Sequence, residues 1–339
     1  MIGRRSFCQG AAAATLSPLL LQQASAQQPI TLKGVYSAPG LSYAAIYIAD
    51  ATGLWAKNGI AAEMRQVQGG PLAMVALTNN EARFAGVAST DPVIAYDKGI
   101  KSLTVGAFTG GLAMQIAARK DWMSKTGVSG ASSLEEKLKA LRGARIGAST
   151  IGGGPAQYTR YLARSVGIDT DKDLRILAVG LGAARIAALR TNQVDVIVGS
   201  APDADQVELE GFAELFLDCA HEVPIFKEFP YTVATVTASF AEQQPETVRR
   251  IMAALGQAND MFTTNFGQVV DILRPQFQNI PIKALERALE RDRDTYPQAC
   301  RMTQTMWENN IKVSIDIKMI GKPIATEEGV LWTNKFIAS

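Results

Sequence analysis

Residues 141–154 read LRGARIGASTIGGG and run into Pro155 and Ala156. Gly143 closes a helical pattern, residues 144–148 form a short apolar run of strand type, and three glycines lead into a second helical pattern from Ala156. Helix, strand, glycine loop and helix in that order make the unit from which helix-covered parallel sheets are built.

The same alternation extends in both directions. Ahead of it, strands are expected near 30–36, 60–67, 83–87 and 103–108, separated by helices near 43–52, 71–78 and 92–98. Gly53 and Gly99 sit where helices end, and Pro71 and Pro92 where first turns begin. The helix before Gly143 has two overlapping capping boxes, Ser132 or Ser133 with Glu135 or Glu136 three residues on. After it come strands near 175–179 and 194–198, and helices near 156–166 and 183–189. A Val/Thr-rich extended run, 231–238, precedes a long helix from Pro245.

Two such series imply an α/β fold of two doubly wound lobes joined by a hinge with two chain crossings, near 110–113 and 232–237. The expected division is residues 27–112 with 235–339 for lobe 1 and 113–234 for lobe 2. The mostly helical remainder from Pro245 is expected on lobe 1.

The first residues read as an export leader: Arg4 and Arg5, an apolar stretch from Ala11 to Leu21, then Ala24-Ser25-Ala26. Cleavage is expected after Ala26, which places the mature chain in the periplasm. Arg4-Arg5-Ser6-Phe7 resembles a twin-arginine leader; a Sec leader carrying two arginines is the alternative. Cys8 precedes the apolar stretch, so no lipid anchor is expected. No later apolar run approaches the ~18 to 20 residues that span a bilayer, so the mature chain is expected to be soluble. Losing Arg4 and Arg5 takes the 34 basic residues to 32, equal to the 32 acidic ones. Near-zero net charge argues against a nucleic-acid partner. Cys219 and Cys300 alone remain, too few for a disulfide scaffold.

Four motifs in order resemble the nitrate/sulfonate/taurine and thiamine-precursor class of ABC substrate-binding proteins, of the type II periplasmic fold. They are AAIYIADATGLWAKNG at 44–59; the helix and following Phe84-Ala85 within 70–87; Leu141-Arg142-Gly143-Ala144-Arg145-Ile146-Gly147; and Ala187-Ala188-Leu189 continuing to Gln193-Val194-Asp195. Asn192 stands where the class usually has glycine. The resemblance implies a non-catalytic component that traps a small solute between lobes and delivers it to a permease and ATPase. A monomer is expected, with no cofactor and no metal. Sulfonates, taurine, nitrate, aromatic carboxylates and pyrimidine precursors are all admitted. An enzyme of the same fold, like the pyrimidine synthase of thiamine biosynthesis, is the alternative, although its cysteine-rich iron motif is absent here.

Ligands of doubly wound sheets sit beyond the carboxyl ends of strands, at helix N-termini. Ser149, Thr150, Gly152, Gly153 and Gly154 are therefore candidates for holding an anion, the alternative being a plain turn. Ser89 and Thr90 are the first-lobe counterpart, or else ordinary helix caps. Tyr43 is a candidate for stacking or hydrogen bonding, or a packing residue. Pro202 and Asp203 stand at the ligand's far end, with Asp203 either recognising an amine or capping a helix; Arg185 is a weaker anion candidate. Gly180-Leu181-Gly182 lacks the third glycine of a dinucleotide fingerprint, and Gly152 to Gly154 lack a P-loop lysine. With His221 the sole histidine, Ser-His and multi-histidine metal chemistry lose their parts.

Overall fold

The computed structural model describes residues 28–338, so the leader read at 1–26 lies outside the described residues. Strands β1 (Ile30–Tyr36), β2 (Ile60–Gln66), β3 (Phe84–Ala88), β4 (Ser102–Ala107) and β10 (Thr232–Thr237) form one sheet in the order β2-β1-β3-β10-β4. Strands β5 (Met114–Arg119), β6 (Arg145–Ala148), β7 (Arg175–Ala178), β8 (Val196–Ser200) and β9 (Ala213–Asp218) form the other, β7-β6-β8-β5-β9. The α/β doubly wound reading holds, because both sheets are apolar on both faces. On β8, Val196 and Val198 join one core and Ile197 the other. On β3, Phe84 and Ala85 divide in the same way. Side chains alternate along a strand, so a strand buried on both faces needs apolar residues at consecutive positions.

The sheets are not wholly parallel, which corrects the sequence reading. β10 runs antiparallel to β3 and β4, and β5 antiparallel to β8 and β9. Chain direction explains both. Strand β4 ends at the cleft, and the chain enters the second sheet at that same edge, with Met114 beside Ser200 at the carboxyl end of β8. A strand entering there must run opposite to its neighbours. The return obeys the same rule, Thr232 pairing with Ala88 at the end of β3. The sequence reading puts the return crossing at 232–237, but those residues are β10, inside the first sheet, and the chain has crossed back before Thr232.

Helix starts follow the local signals. Of the two overlapping capping boxes, Ser133 with Glu136 forms: Ser133 Oγ accepts from the Glu136 amide and the Glu136 carboxylate from the Ser133 amide. Cys219 and Cys300 are buried free thiols in separate cores. Among the described residues, no helix is long and apolar enough to cross a membrane.

The C-terminal part does not sit on the first lobe alone. Helix Gln304–Asp316 puts Trp307 and Ile311 into a first-sheet core and Val313 into the core of the second. Helix Ile282–Asp292 reaches across as well, where Arg291 donates two hydrogen bonds to Asp205, Nη1 to Oδ1 at 2.6 Å and Nη2 to Oδ2 at 2.8 Å. Asp205 is fully buried, and Asp218 Oδ2 lies 3.4 Å from Arg291 Nε. Removing one partner of such a pair strands a buried charge, at ~3 to 5 kcal/mol. We expect Arg291→Ala to lower unfolding stability in urea by about 3 kcal/mol, whereas Arg287→Ala, whose partner Glu208 is reached from a half-exposed position, should change it by less than ~1 kcal/mol.

Candidate functional site

Loops after the parallel strands of both sheets meet around one cavity of about 220 Å³. Three helices with glycine at the N-cap open on it: Gly70–Thr78 from the first lobe, and Gly154–Ser165 and Ala183–Arg190 from the second. Their N-cap residues are Gly69, Gly153 and Gly182, and none of the three starts has a side-chain cap. A helix leaves its first amide groups unsatisfied, and serine, threonine or aspartate normally takes one of them. Glycine leaves them open. The three helix ends also place positive partial charge at the cavity wall.

The glycines serve two different needs. Gly69 and Gly182 adopt φ of 92° and 48°, left-handed values that other residues rarely take. Gly153 has φ of −78° and needs no such freedom. Space is the reason there: a Cβ at Gly153 would lie 2.6 Å from Thr150 Oγ1. At Gly154 it would lie 2.7 Å from Ala88 Cβ and 3.3 Å from Thr90 Oγ1, both on the opposite lobe. Gly40 is the mirror case, its added Cβ falling 2.8 Å from Ser200 Cβ. Bare backbone is thus what lets the lobes touch on both flanks. The Leu41 amide donates to the Ala201 carbonyl at 2.9 Å, and the hydroxyl oxygens of Ser42 and Ser200 are 2.9 Å apart.

Of the residues singled out from sequence, Tyr43, Ser149, Thr150, Gly153, Gly154, Pro202 and Asp203 line the cavity. Gly152, Ser89 and Thr90 do not. Gly152 has open space around its Cα and no contact that asks for glycine. Ser89 is fully buried between lobes: Asn310 Nδ2 donates to its Oγ at 2.5 Å, and Tyr158 Oη is 3.1 Å away. It neither caps its helix nor lines the cavity, because Asn310 and Tyr158 have already taken its hydroxyl. Thr90 is buried against Gly154, with Oγ1 lacking a partner. Tyr43 is buried, its hydroxyl 2.6 Å from Ser37 Oγ.

Asp203 and Arg185 face each other rather than a guest. Arg185 Nε and Nη2 both donate to Asp203 Oδ2, at 3.0 and 2.5 Å, and Nη1 donates to the Val198 carbonyl at 3.0 Å. Amine recognition by Asp203 is therefore replaced by a buried internal ion pair, and Arg185 is not solvent-facing. Its guanidinium spreads over Gly199, where a Cβ would come within 2.3 Å of it.

The lining residues that escaped the sequence reading include the loops 37–40, 69–70 and 181–183, and two further groups. Gln276, Phe277, Asn279 and Ile280 come from the segment between helices Phe266–Leu273 and Ile282–Asp292, which has no local motif. The other is Asp91, in the first turn of helix Thr90–Asp97 and next to the two residues chosen instead. Its side chain is 6% exposed, Oδ2 has no hydrogen-bond partner, and burial pushes the carboxyl up to about 7. Away from the cavity, His221 lies between Asp218 and Asp294, its nitrogens 2.9 and 3.1 Å from their oxygens. Among the described residues no group of three or more His, Cys, Asp or Glu is arranged to hold a metal ion.

Residues 38–269 match the NMT1-like family, a span that takes in every strand but β1. A curated relative from Bacillus subtilis (strain 168), described as a binding protein, YtlA, is 22% identical over 306 residues, 86% of this chain and 85% of its own. A solved structure from Bordetella bronchiseptica RB50 superposes with a TM-score of 0.76 at 16% identity, over 90% of this chain and 95% of that one. The alkanesulfonate-binding protein SsuA from Xanthomonas axonopodis pv. citri, bound to MOPS, gives 0.67 at 18% identity, over 88% and 96%. The structural neighbours thus include a protein of the class that the sequence motifs resemble. The chain belongs to the NMT1-like family and has the two-lobed fold of the periplasmic binding proteins.

Proposed function

We propose that this chain is the solute-capturing component of an ABC importer, exported to the periplasm with its leader removed near Ala26, acting as a monomer and catalysing no reaction. Residues 28–112 with those from 232 onward form one lobe, and 113–231 the other. A solute binds first to the open cleft, and closure completes its contacts; the closed form is what the permease and its ATPase receive. Differential contact drives the change, since a guest shifts a two-state equilibrium only by its preference for one state.

One observation carries this reading: three helix starts from two lobes, each with glycine at the N-cap and no side-chain cap, converge on a single cavity. Their open amide groups, with Ser149 and Thr150, suit the anionic end of a small organic solute. At about 220 Å³ the cavity is smaller than the ~300 to 1,000 Å³ of drug-sized sites. Support also comes from the structural neighbour named for binding alkanesulfonates.

A thermal-shift screen of the mature protein against sulfonates, taurine, nitrate, aromatic carboxylates and aminopyrimidines tests the reading. One compound or close group should raise the melting temperature. Ser149→Ala should weaken its binding about tenfold, in line with the ~1.5 to 3 kcal/mol of a hydrogen bond to a charged group. Gly153→Val should abolish it by filling the loop. A stabilising compound indifferent to both changes would reject the role of the 149–154 loop.

The lobe contact makes a separate prediction. Gly154→Val adds bulk where Ala88 Cβ is already 2.7 Å from a first carbon, so the variant should fold, bind at least tenfold more weakly and stay expanded in small-angle scattering with saturating ligand. A variant that compacts as the parent does would mean that closure does not use this contact.

A further inference from the structure

Three carboxyl or guanidinium side chains line the cavity, and their formal charges do not cancel. Arg185 and Asp203 neutralise each other through two hydrogen bonds. Asp91 is left over. Among the described residues, the cavity wall holds no lysine, no histidine and no second arginine. Asp91 is more than nine-tenths buried, and its Oδ2 meets no donor at hydrogen-bonding distance.

Its surroundings explain how a carboxyl is tolerated there, but not what completes it. A Cβ on Gly70 would fall 1.9 Å from Asp91 Oδ2, so the carboxyl lies against the start of helix Gly70–Thr78, whose dipole favours negative charge. Gly70 leaves the room the carboxyl occupies. A dipole is no substitute for a missing hydrogen bond, and a buried acceptor without a partner costs free energy until a donor arrives. Across Gly69, whose added Cβ would lie 3.2 Å from Thr150 Cγ2, stands the second lobe's glycine loop. There Thr150 Oγ1 is likewise buried and unpartnered. One cavity therefore offers an acceptor short of a donor, and beside it a helix start suited to an anion.

We propose that the solute carries a cationic N–H group, an ammonium or a protonated amidine-like nitrogen, that docks on Asp91 while its anionic end meets the 149–154 loop. The proposal rests on the solute-capture reading and narrows it. It excludes nitrate and unsubstituted alkanesulfonates as the physiological guest, because neither brings an N–H group and each would leave Asp91 Oδ2 without a donor. A zwitterion satisfies both walls at once.

The test uses matched pairs that differ by one amine, with calorimetry on the mature protein: 2-aminoethanesulfonate against ethanesulfonate, and 4-(aminomethyl)benzoate against 4-methylbenzoate. In parallel, the parent protein purified from the periplasm of its own host is denatured, and any released small molecule is identified by mass spectrometry. We expect the aminated member of at least one pair to bind at least tenfold more tightly than its partner, or the released molecule to contain a basic nitrogen. Asp91→Asn, which keeps the side-chain volume, and Asp91→Ser should each reduce that preference at least tenfold. Equal or tighter binding of the amine-free member, a preference that survives both variants, or a released molecule without basic nitrogen overturns the proposal and leaves solute capture standing. If Asp91→Asn alters only the melting temperature of the empty protein, Asp91 serves the helix start alone, and the proposal again fails. Absence of any bound compound and of any released molecule counts against solute capture itself, and the proposal falls with it.

Discussion

Backbone meets the opposite lobe at Gly40 and Gly154, where one added carbon would come within 2.8 and 2.7 Å of a facing Cβ. Those two approaches set the width of the cleft, and much of the site follows from that width. They let the Leu41 amide reach Ala201, bring Ser42 to Ser200, and press the start of helix Gly154–Ser165 against Ala88. A cavity narrowed in this way lowers the exposure of its helix ends to bulk water. Electrostatic interactions gain strength accordingly, and so does the penalty for leaving a polar group without a partner.

The charged groups between the lobes divide by how they are satisfied. Arg291 is held by Asp205 and Asp218, and Arg185 by Asp203 and the Val198 carbonyl. Such pairs add little net stability over apolar packing, but they are costly to break singly, so the Arg291 pair ties the lobes into one geometry while the Arg185 pair fixes the wall of the second lobe alone. Asp91 belongs to neither arrangement. It is the one lining carboxyl with no internal cation, in a fold that otherwise pairs its buried ions. The distinction separates groups that hold the protein together from a group that waits for something else.

Much of the fold was legible because the signals are local. Strand and helix patterns from Ile30 onward, the capping box at Ser133 and the glycine loop at Ser149 each depend on residues a few positions apart. The strands missed, β5 (MQIAAR) and β9 (AELFLD), are rich in good helix formers. Their neighbours in the sheet override that preference. Asp91 was missed for the opposite reason. Ser89 and Thr90 look like an anion site on paper, whereas Ser89 is taken by Asn310, 221 residues further along the chain.

By itself, the amino-acid sequence determined the alternation of strands and helices, the two series that become two sheets, and the loop at the start of helix Gly154–Ser165. Each is decided by side-chain periodicity and backbone freedom within one or two turns of chain. Tertiary structure alone decided that β5 and β10 run antiparallel, that Arg185 and Asp203 satisfy each other, that Ser89 is sequestered, and that Asp91 at the cavity wall keeps one oxygen without a partner. Those outcomes depend on which groups folding brings together, and a hydrogen bond or ion pair forms only between groups within about 3 Å, whatever their distance along the chain.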